Sequence, residues 1–534
     1  MMTTAEQHKH PPAMVRAFKY IWLQLETFWL FVLSHLLDMI LALALRRGKP
    51  GFLNQKQKRT ANLIKTSIYA RLVVEGYITQ GRGKNRYPEW EQLNQQLYET
   101  GSSMSADSGI NDPEFCPGLE QLVGQRFSDG NKIVALINGP ASFAQRYALI
   151  EDATESIFLA TWKLYGDESG IKMIDALLAR RRENGDVDIR VMVDGNVATR
   201  DQKSLDQLKR LVDANIPVAF YHCKERPYDG FHYKVIVVDG ATAHPVAISG
   251  GMNIANEYAH AYGTSIAEDP ERKMWRDTDI RVDGPGARDD YLTFIQLWNG
   301  QAARSNPIEP FGQVLTPINM PNDLPSVVPA GTAKQLITVD VPGPHSQQTV
   351  TLAMVYGIRA AQKSVDIENA YFMEVPAIRN ALVDAMLRGV NVRILTNSLE
   401  SVDEKVVAVP ILKGLYALME KADTSGAPRD RCEVYVRKKL RPHLVNADTL
   451  HSKFMVVDAL FCQVASYNIH ARSLRLEVEG AHNIVDRELG ASLSAAFTRD
   501  IEDAVAYRDK DDIDFPDDMI SRLLVHMNLN PVLM

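Results

Sequence analysis

The sequence predicts an α/β protein built from two tandem lobes, each a mixed sheet flanked by helices, with a helical region ahead of them. Three observations carry that expectation. Apolar runs alternate in strand, helix, strand order, which favours βαβ units and a parallel or mixed sheet. The same order recurs in the second half of the chain, the mark of an internal duplication. A Pro-rich stretch separates the two copies. With 534 residues, the chain is long enough for each lobe to bury its own core.

The N-terminal region, residues 1–118, holds a strongly apolar stretch after a polar lead. At 100° per residue Trp22, Leu25, Trp29, Leu33, Leu36 and Ile40 share one face over about 20–45, whereas Glu26, His35 and Asp38 fall on the other. A bilayer centre penalises those three polar residues, so a helix lying in a membrane interface is expected first, with a buried core helix and a span whose acids face a partner as the other readings. From Arg46 to Val74 there are eight Lys or Arg residues and no Asp or Glu, an island that can meet an anionic membrane surface or simply be solvated. A Ser-, Gly-, Asp- and Pro-rich loop at 101–118 then separates this region from the first lobe.

The first lobe is placed at 132–304. It holds a strand at Ser156–Ala160, a helix from Ile171 to Gly185 and a buried-type strand at Asp188–Asp194. The second lobe, 345–534, repeats them as Ser364–Glu368, Val375–Gly389 and Asn391–Asn397. Each helix closes on a glycine, the usual stop signal. Between the lobes, residues 305–344 include Pro307, Pro310, Pro317, Pro321, Pro325, Pro329, Pro342 and Pro344, a density that suits an extended connector.

A net charge of −7 argues against a nucleic-acid-coating protein, so no nucleic-acid partner is expected. Four widely spaced cysteines without a CxxC pair support neither a disulfide framework nor a zinc site.

Chemistry enters with two decapeptides, FHYKVIVVDG and LHSKFMVVDA. Both contain His-x-Lys-x₄-Asp: His232, Lys234 and Asp239 in the first, and His451, Lys453 and Asp458 in the second. On a strand, residues two apart face the same way, so each His and Lys project into one site. A neutral imidazole can attack phosphorus, an ammonium can hold non-bridging oxygens, and two imidazoles can divide nucleophile and acid/base roles. Chance would supply two such matches roughly one time in a thousand. Asp239 and Asp458 follow four apolar residues and read as structural orienters of the motif. After each motif Ser249 and Asn253, matched with Ser466 and Asn468, offer donors for phosphate oxygens. A carboxylate also follows each His at similar distance, Glu257 by 25 residues and Glu477 by 26, and either can hold an imidazole Nδ1–H. A basic cluster, Arg437, Lys438, Lys439 and Arg441, can guide an anionic headgroup or lie in a solvated loop.

On these residues the chain resembles the phospholipase D superfamily and, within it, bacterial cardiolipin synthase-like phosphatidyltransferases. GGMNIANEY (250–258), WRDTDIRVDGPG (275–286), RILTNSLESVD (393–403) and ASYNIHARSLRLEVE (465–479) are similar to segments of that subgroup. Three positions depart from it: Ala465 where Gly is usual, Asp279 where His is common, and His470 where Asp is common.

The resemblance implies two phospholipase D-like lobes closing one pseudo-twofold active site and a mechanism through phosphohistidine that needs no metal or cofactor. In it His232 attacks phosphorus and His451 handles the proton, or the reverse, while Lys234, Lys453, Asn253 and Asn468 bind phosphoryl oxygens. The substrate it implies is a phospholipid of the phosphatidylglycerol or cardiolipin type, at a bacterial inner membrane reached through the N-terminal helix. With an alcohol acceptor the outcome is transfer, and with water it is hydrolysis to phosphatidic acid. A nuclease of the same superfamily and a non-catalytic lipid-binding scaffold are the remaining readings.

Overall fold

The computed structural model describes residues 90–516, apart from 106, 224, 225, 227, 228, 305–308, 321, 322, 344 and 404, together with Val32. The amphipathic segment at about 20–45 and the basic island lie outside these described residues.

Eight strands form in the first half: β1 (Ser128–Ile137), β2 (Ser156–Thr161), β3 (Asp188–Asp194), β4 (Val218–Tyr221), β5 (Gly230–Phe231), β6 (Val235–Val238), β7 (Val246–Gly250) and β8 (Thr278–Asp283). Eight more follow: β9 (Ala333–Asp340), β10 (Ser364–Asn369), β11 (Asn391–Asn397), β12 (Cys432–Arg437), β13 (Lys453–Val457), β14 (Phe461–Ala465), β15 (Glu477–Val485) and β16 (Ala504–Tyr507). All except β5 hydrogen-bond side by side in one mixed sheet, in the order β16-β12-β11-β10-β13-β14-β15-β9-β1-β8-β7-β6-β2-β3-β4. Read outward from the β1·β9 pair, the order β8-β7-β6-β2-β3-β4 is repeated by β15-β14-β13-β10-β11-β12, so the duplication in sequence is also a duplication of topology.

The strands are continuous apolar runs because helices cover them. β2 is buried at every position, and β13 and β14 likewise. The helices start and stop where local chemistry dictates. Asp167 caps the helix Glu168–Glu183 by accepting from Gly170 N (3.0 Å), and Arg180, Arg181 and Arg182 crowd its last turn. In the second copy Pro376 opens the helix Pro376–Leu387, and Gly389 beyond it takes φ +89°. One apolar cluster runs through both halves, from Phe158 stacked on Tyr291 (5.3 Å) across to Leu395, Phe454 and Val456.

Two boundaries differ from the sequence expectation. The connector set at 305–344 ends early, because β9 occupies its last third and pairs with both β15 and β1. Proline is absent between Pro329 and Pro342, so nothing there prevents a ladder. The region before the first lobe also docks elsewhere. Helices Trp90–Gly101 and Phe115–Val123 pack on the second half, where Asn94 Oδ1 accepts from Ala377 N (3.1 Å) and Phe115 O accepts from the Tyr356 hydroxyl (3.2 Å). Gly101 there meets Val355 so closely that an added Cβ would lie 2.7 Å from it. Among the described residues no helix is long and apolar enough to cross a membrane.

Candidate active site

Each His-x-Lys segment leaves its own half before its strand begins. β5 pairs in parallel with β15 of the second half, Gly230 against Glu477 and Phe231 against Val478, and His232 N donates to Val478 O (2.9 Å). In mirror fashion Leu450 bridges Arg276 of the first half, and His451 N donates to Arg276 O (2.7 Å). His232 and His451 therefore sit in extended chain at the junction, just ahead of β6 and β13 respectively, and the crossed pairings bring both into one place.

The imidazoles are held across the same junction. Nδ1 of His451 lies 2.8 Å from Asp277 Oδ2, and Nδ1 of His232 lies 3.0 Å from Glu479 Oε1. The two acids are counterparts: Gly250 pairs with Asp279 and Ala465 with Ala481, so counting back two residues equates Asp277 with Glu479. Each half thus supplies the carboxylate that orients the other half's histidine. These are not the acids expected from spacing. Glu257 is half-buried and its backbone carbonyl accepts from Trp275 N, whereas Glu477 pairs with Arg472 (2.8 Å) one strand repeat away from Glu479. The signal was an acid-x-acid pattern at the start of β8 and of β15, Asp277-Thr278-Asp279 and Glu477-Val478-Glu479. Unequal loops upstream made distance from the motif misleading.

The two carboxylates have different company. A Cβ on Gly251 would lie 2.1 Å from Asp277 Oδ1, so only glycine leaves that acid room. The equivalent residue in the second half is Ser466, whose hydroxyl donates to Glu479; Ser473 Oγ donates to the same carboxylate at 2.5 Å. The ring environments differ as well. His451 is stacked on Trp275 (5.6 Å) and met edge-on by Tyr258 (4.9 Å), with the Tyr258 hydroxyl 3.5 Å from Nε2. His232 has Trp162 edge-on at 5.6 Å.

Burial governs the electrostatics. Both imidazoles are held well below the usual histidine range, first by burial and then by the neighbouring ammonium, Lys234 for His232 and Lys453 for His451. Burial also brings Lys234 down to about 7 and Lys453 to about 8, against the pull of nearby carboxylates. Asp277 is pushed up to about 7 by burial, with Lys453 opposing. With Nδ1–H given to a carboxylate, a neutral ring presents the lone pair of Nε2 to the site. Lys453 Nζ lies 3.0 Å from His451 Nδ1 and also bonds the His451 carbonyl, as Lys234 does that of His232.

The other expected residues divide. Among the described residues, buried Asn468 has neither side-chain amide atom hydrogen-bonded, and Asn253 has no partner for Nδ2 while its Oδ1 accepts from Thr161 (3.3 Å). Those free amides are what a phosphoryl oxygen would use. Ser249 is engaged elsewhere, donating to Lys234 O (2.7 Å), and its counterpart by strand register is Val464, not Ser466. Asp239 and Asp458 lie at the far ends of their strands, roughly 20 Å along the chain from the histidines. Both adopt left-handed backbone, at φ +51° and +53°. Asp239 accepts from Thr154, Glu155 and Ser156 N, and Asp458 from Gln362, Lys363 and Ser364 N, so each ties the motif strand to the start of its neighbour and neither touches the site. Arg437 and Arg441 are likewise spent internally: Arg437 donates to the Asp448 carbonyl, and Arg441 to the Asp448 carboxylate and to the carbonyls of Ala447 and Arg272.

One trio, His232, Glu477 and Glu479, brings its donor atoms within 4.8 Å of one another, as a metal site would require. Here His232 is already bonded to Glu479, and Glu477 to Arg472.

The family described as cardiolipin synthase, PLD-like domain, matches residues 147–262 and 354–501. The chain is 26% identical over 381 residues to the major cardiolipin synthase ClsA of Bacillus subtilis, covering 70% of each protein. It is 28% identical over 418 residues to cardiolipin synthase A of Pseudomonas syringae pv. syringae, covering 73% of this chain and 76% of that one. Among solved structures, phosphatidylserine synthase of Haemophilus influenzae superposes with a TM-score of 0.59 at 16% identity, over 78% of this chain and all of that one. With its fold and its paired motifs, the chain belongs to the phospholipase D superfamily as a cardiolipin synthase-like protein.

Proposed function

We propose that the protein is a phosphatidyltransferase that makes cardiolipin from phosphatidylglycerol through a phosphohistidine intermediate. The observation that carries this is the crossed pair of carboxylate-held imidazoles with two buried lysines beside them. Nε2 of His232 attacks phosphorus, an N–P bond forms, and the P–O bond to the departing glycerol breaks as His451 protonates that oxygen. His451 then takes the proton of the incoming hydroxyl, whose oxygen attacks phosphorus and releases His232. Asp277 and the anionic phosphodiester both favour the imidazolium of His451, offsetting its burial. Lys234, Lys453, Asn253 and Asn468 stabilise charge developing on the non-bridging oxygens.

In this reading the lobes, 132–304 and 345–534, relate by a pseudo-twofold axis through the site, a relation supported by the repeated strand order and the reciprocal Asp277 and Glu479 contacts. Residues 20–45 and the basic island bring the enzyme to the anionic surface of a bacterial inner membrane, where its phospholipid lies. Purified protein supplied with phosphatidylglycerol vesicles should release glycerol and accumulate cardiolipin, read by mass spectrometry. Phosphatidic acid alone, at any vesicle concentration, would replace transfer with hydrolysis.

A further inference from the structure

Strand register equates Asn468 with Asn253, and therefore His470 with Ala255. The segments facing them are also equivalent. Met373 N donates to Ile469 O as Tyr165 N donates to Ile254 O, which equates Tyr371 with Lys163. One flank of the site thus carries a methyl group and a lysine, whose ammonium lies 3.7 Å from the Tyr165 ring centroid. The other carries an imidazole and a phenol.

His470 is 1% exposed and caps the short helix Ala471–Leu476, its Nδ1 accepting from Ser473 N at 2.9 Å. That bond fixes the tautomer: Nδ1 is an acceptor, so the proton of the neutral ring is on Nε2. Nε2 has no hydrogen-bond partner among the described residues. Burial brings the ring down to about 4, so it stays neutral. Its ring lies 6.4 Å from that of Tyr371, which in turn meets His451 edge-on at 6.5 Å, and His232, Glu477, Glu479 and Arg472 are its charged neighbours. An unmet N–H donor is therefore buried in the neighbourhood of His232, with the Tyr371 ring between it and His451. Leaving it unmet costs free energy that a bound acceptor would recover. With two carboxylates near it and Arg472 already paired to Glu477, the place suits a neutral acceptor better than a phosphate oxygen.

We infer that the Nε2–H of His470 donates a hydrogen bond to a hydroxyl of the alcohol that leaves or enters at phosphorus, making His470 a specificity residue for polyol headgroups. The inference rests on the phosphatidyl-transfer reading above. A site built to bond a hydroxyl discriminates strongly against an alcohol lacking it.

The test is competition between glycerol and 1-propanol as acceptors, with phosphatidylglycerol vesicles as donor and the full-length enzyme. Wild type should favour glycerol. His470→Asp keeps a side-chain acceptor for Ser473 N but removes the donor, and should lower the glycerol preference roughly tenfold or more. His470→Asn keeps both the cap and an N–H donor and should recover most of it. Equal selectivity in all three proteins overturns the inference and leaves His470 as a helix cap. Wild type that forms neither transfer product sinks the transfer reading instead. The comparison then moves to hydrolysis of phosphatidylglycerol against phosphatidylpropanol, in which His470→Asp must lower kcat/KM for the glycerol lipid alone or the inference falls.

Discussion

The two histidines come from duplicated segments, yet their surroundings have diverged. His451 is held by Asp277, clamped between Trp275 and Tyr258, and carries a phenol hydroxyl 3.5 Å from Nε2. His232 is held by the longer Glu479, which two serine hydroxyls also engage, and only Trp162 meets its ring among the aromatic contacts of the described residues. A carboxylate shared with two hydroxyl donors is a weaker base for imidazolium than Asp277, whose other bond comes from Thr278 N (2.7 Å). The difference is what supports the proposed division of labour, in which the His451 side carries a proton and the His232 side stays neutral and presents a lone pair.

The sharpest way to break that comparison is to remove each ring. His232→Ala and His451→Ala should each lower transfer by at least about 10⁴-fold. With a p-nitrophenyl phosphodiester, whose leaving group needs no proton, His451→Ala should still form a protein-bound phosphoryl adduct and His232→Ala should not. The opposite pattern would exchange the roles.

The orienting acids come next. Asp277→Asn should lower kcat by about 10³-fold and Glu479→Gln by about 10²-fold, since the former removes the partner of the proton-carrying ring. Equal losses in steady-state kinetics would remove the distinction drawn between the two halves.

The lysines make a pH prediction. A charged ammonium is required, and its pKa is lowered, so the useful form is lost as pH rises through about 7 for Lys234 and about 8 for Lys453. The alkaline limb of kcat/KM, which reports the free enzyme, should therefore fall between about pH 7 and 8 instead of near 10. Lys234→Arg, which replaces the ammonium lost first, should move the start of that fall upward in whatever activity remains.

The smallest effects belong to positions beside or behind the chemistry. Tyr258→Phe should cost only about 2–5-fold in kcat, because a hydroxyl at 3.5 Å is a weak bond. Asp239→Asn should leave kcat per folded molecule nearly unchanged while lowering stability by about 2 kcal/mol in urea unfolding, since its carboxylate serves backbone N–H groups far from the site.

Much of this was legible in the sequence because it depends on local pattern. β3 and β11 fall at Asp188–Asp194 and Asn391–Asn397, where β-branched runs placed them. His232, Lys234, His451 and Lys453 announce themselves by spacing alone. The orienting acids did not, because Asp277 and Glu479 act on a histidine of the opposite half and unequal loops broke the count from the motif. The docking of Trp90–Val123 on the second half was also hidden, since apolar faces do not name their partners.

By itself, then, the amino-acid order determined a duplicated α/β chain with two phosphoryl-reactive motifs, because periodicity and spacing are properties of neighbours along the backbone. Tertiary structure alone decided that each motif is completed by the other half. Pairing of β5 with β15, and of Leu450 with Arg276, is a long-range match of backbone hydrogen bonds that no local pattern encodes. The fold also leaves the Nε2 proton of His470 buried, a donor without a partner among the described residues.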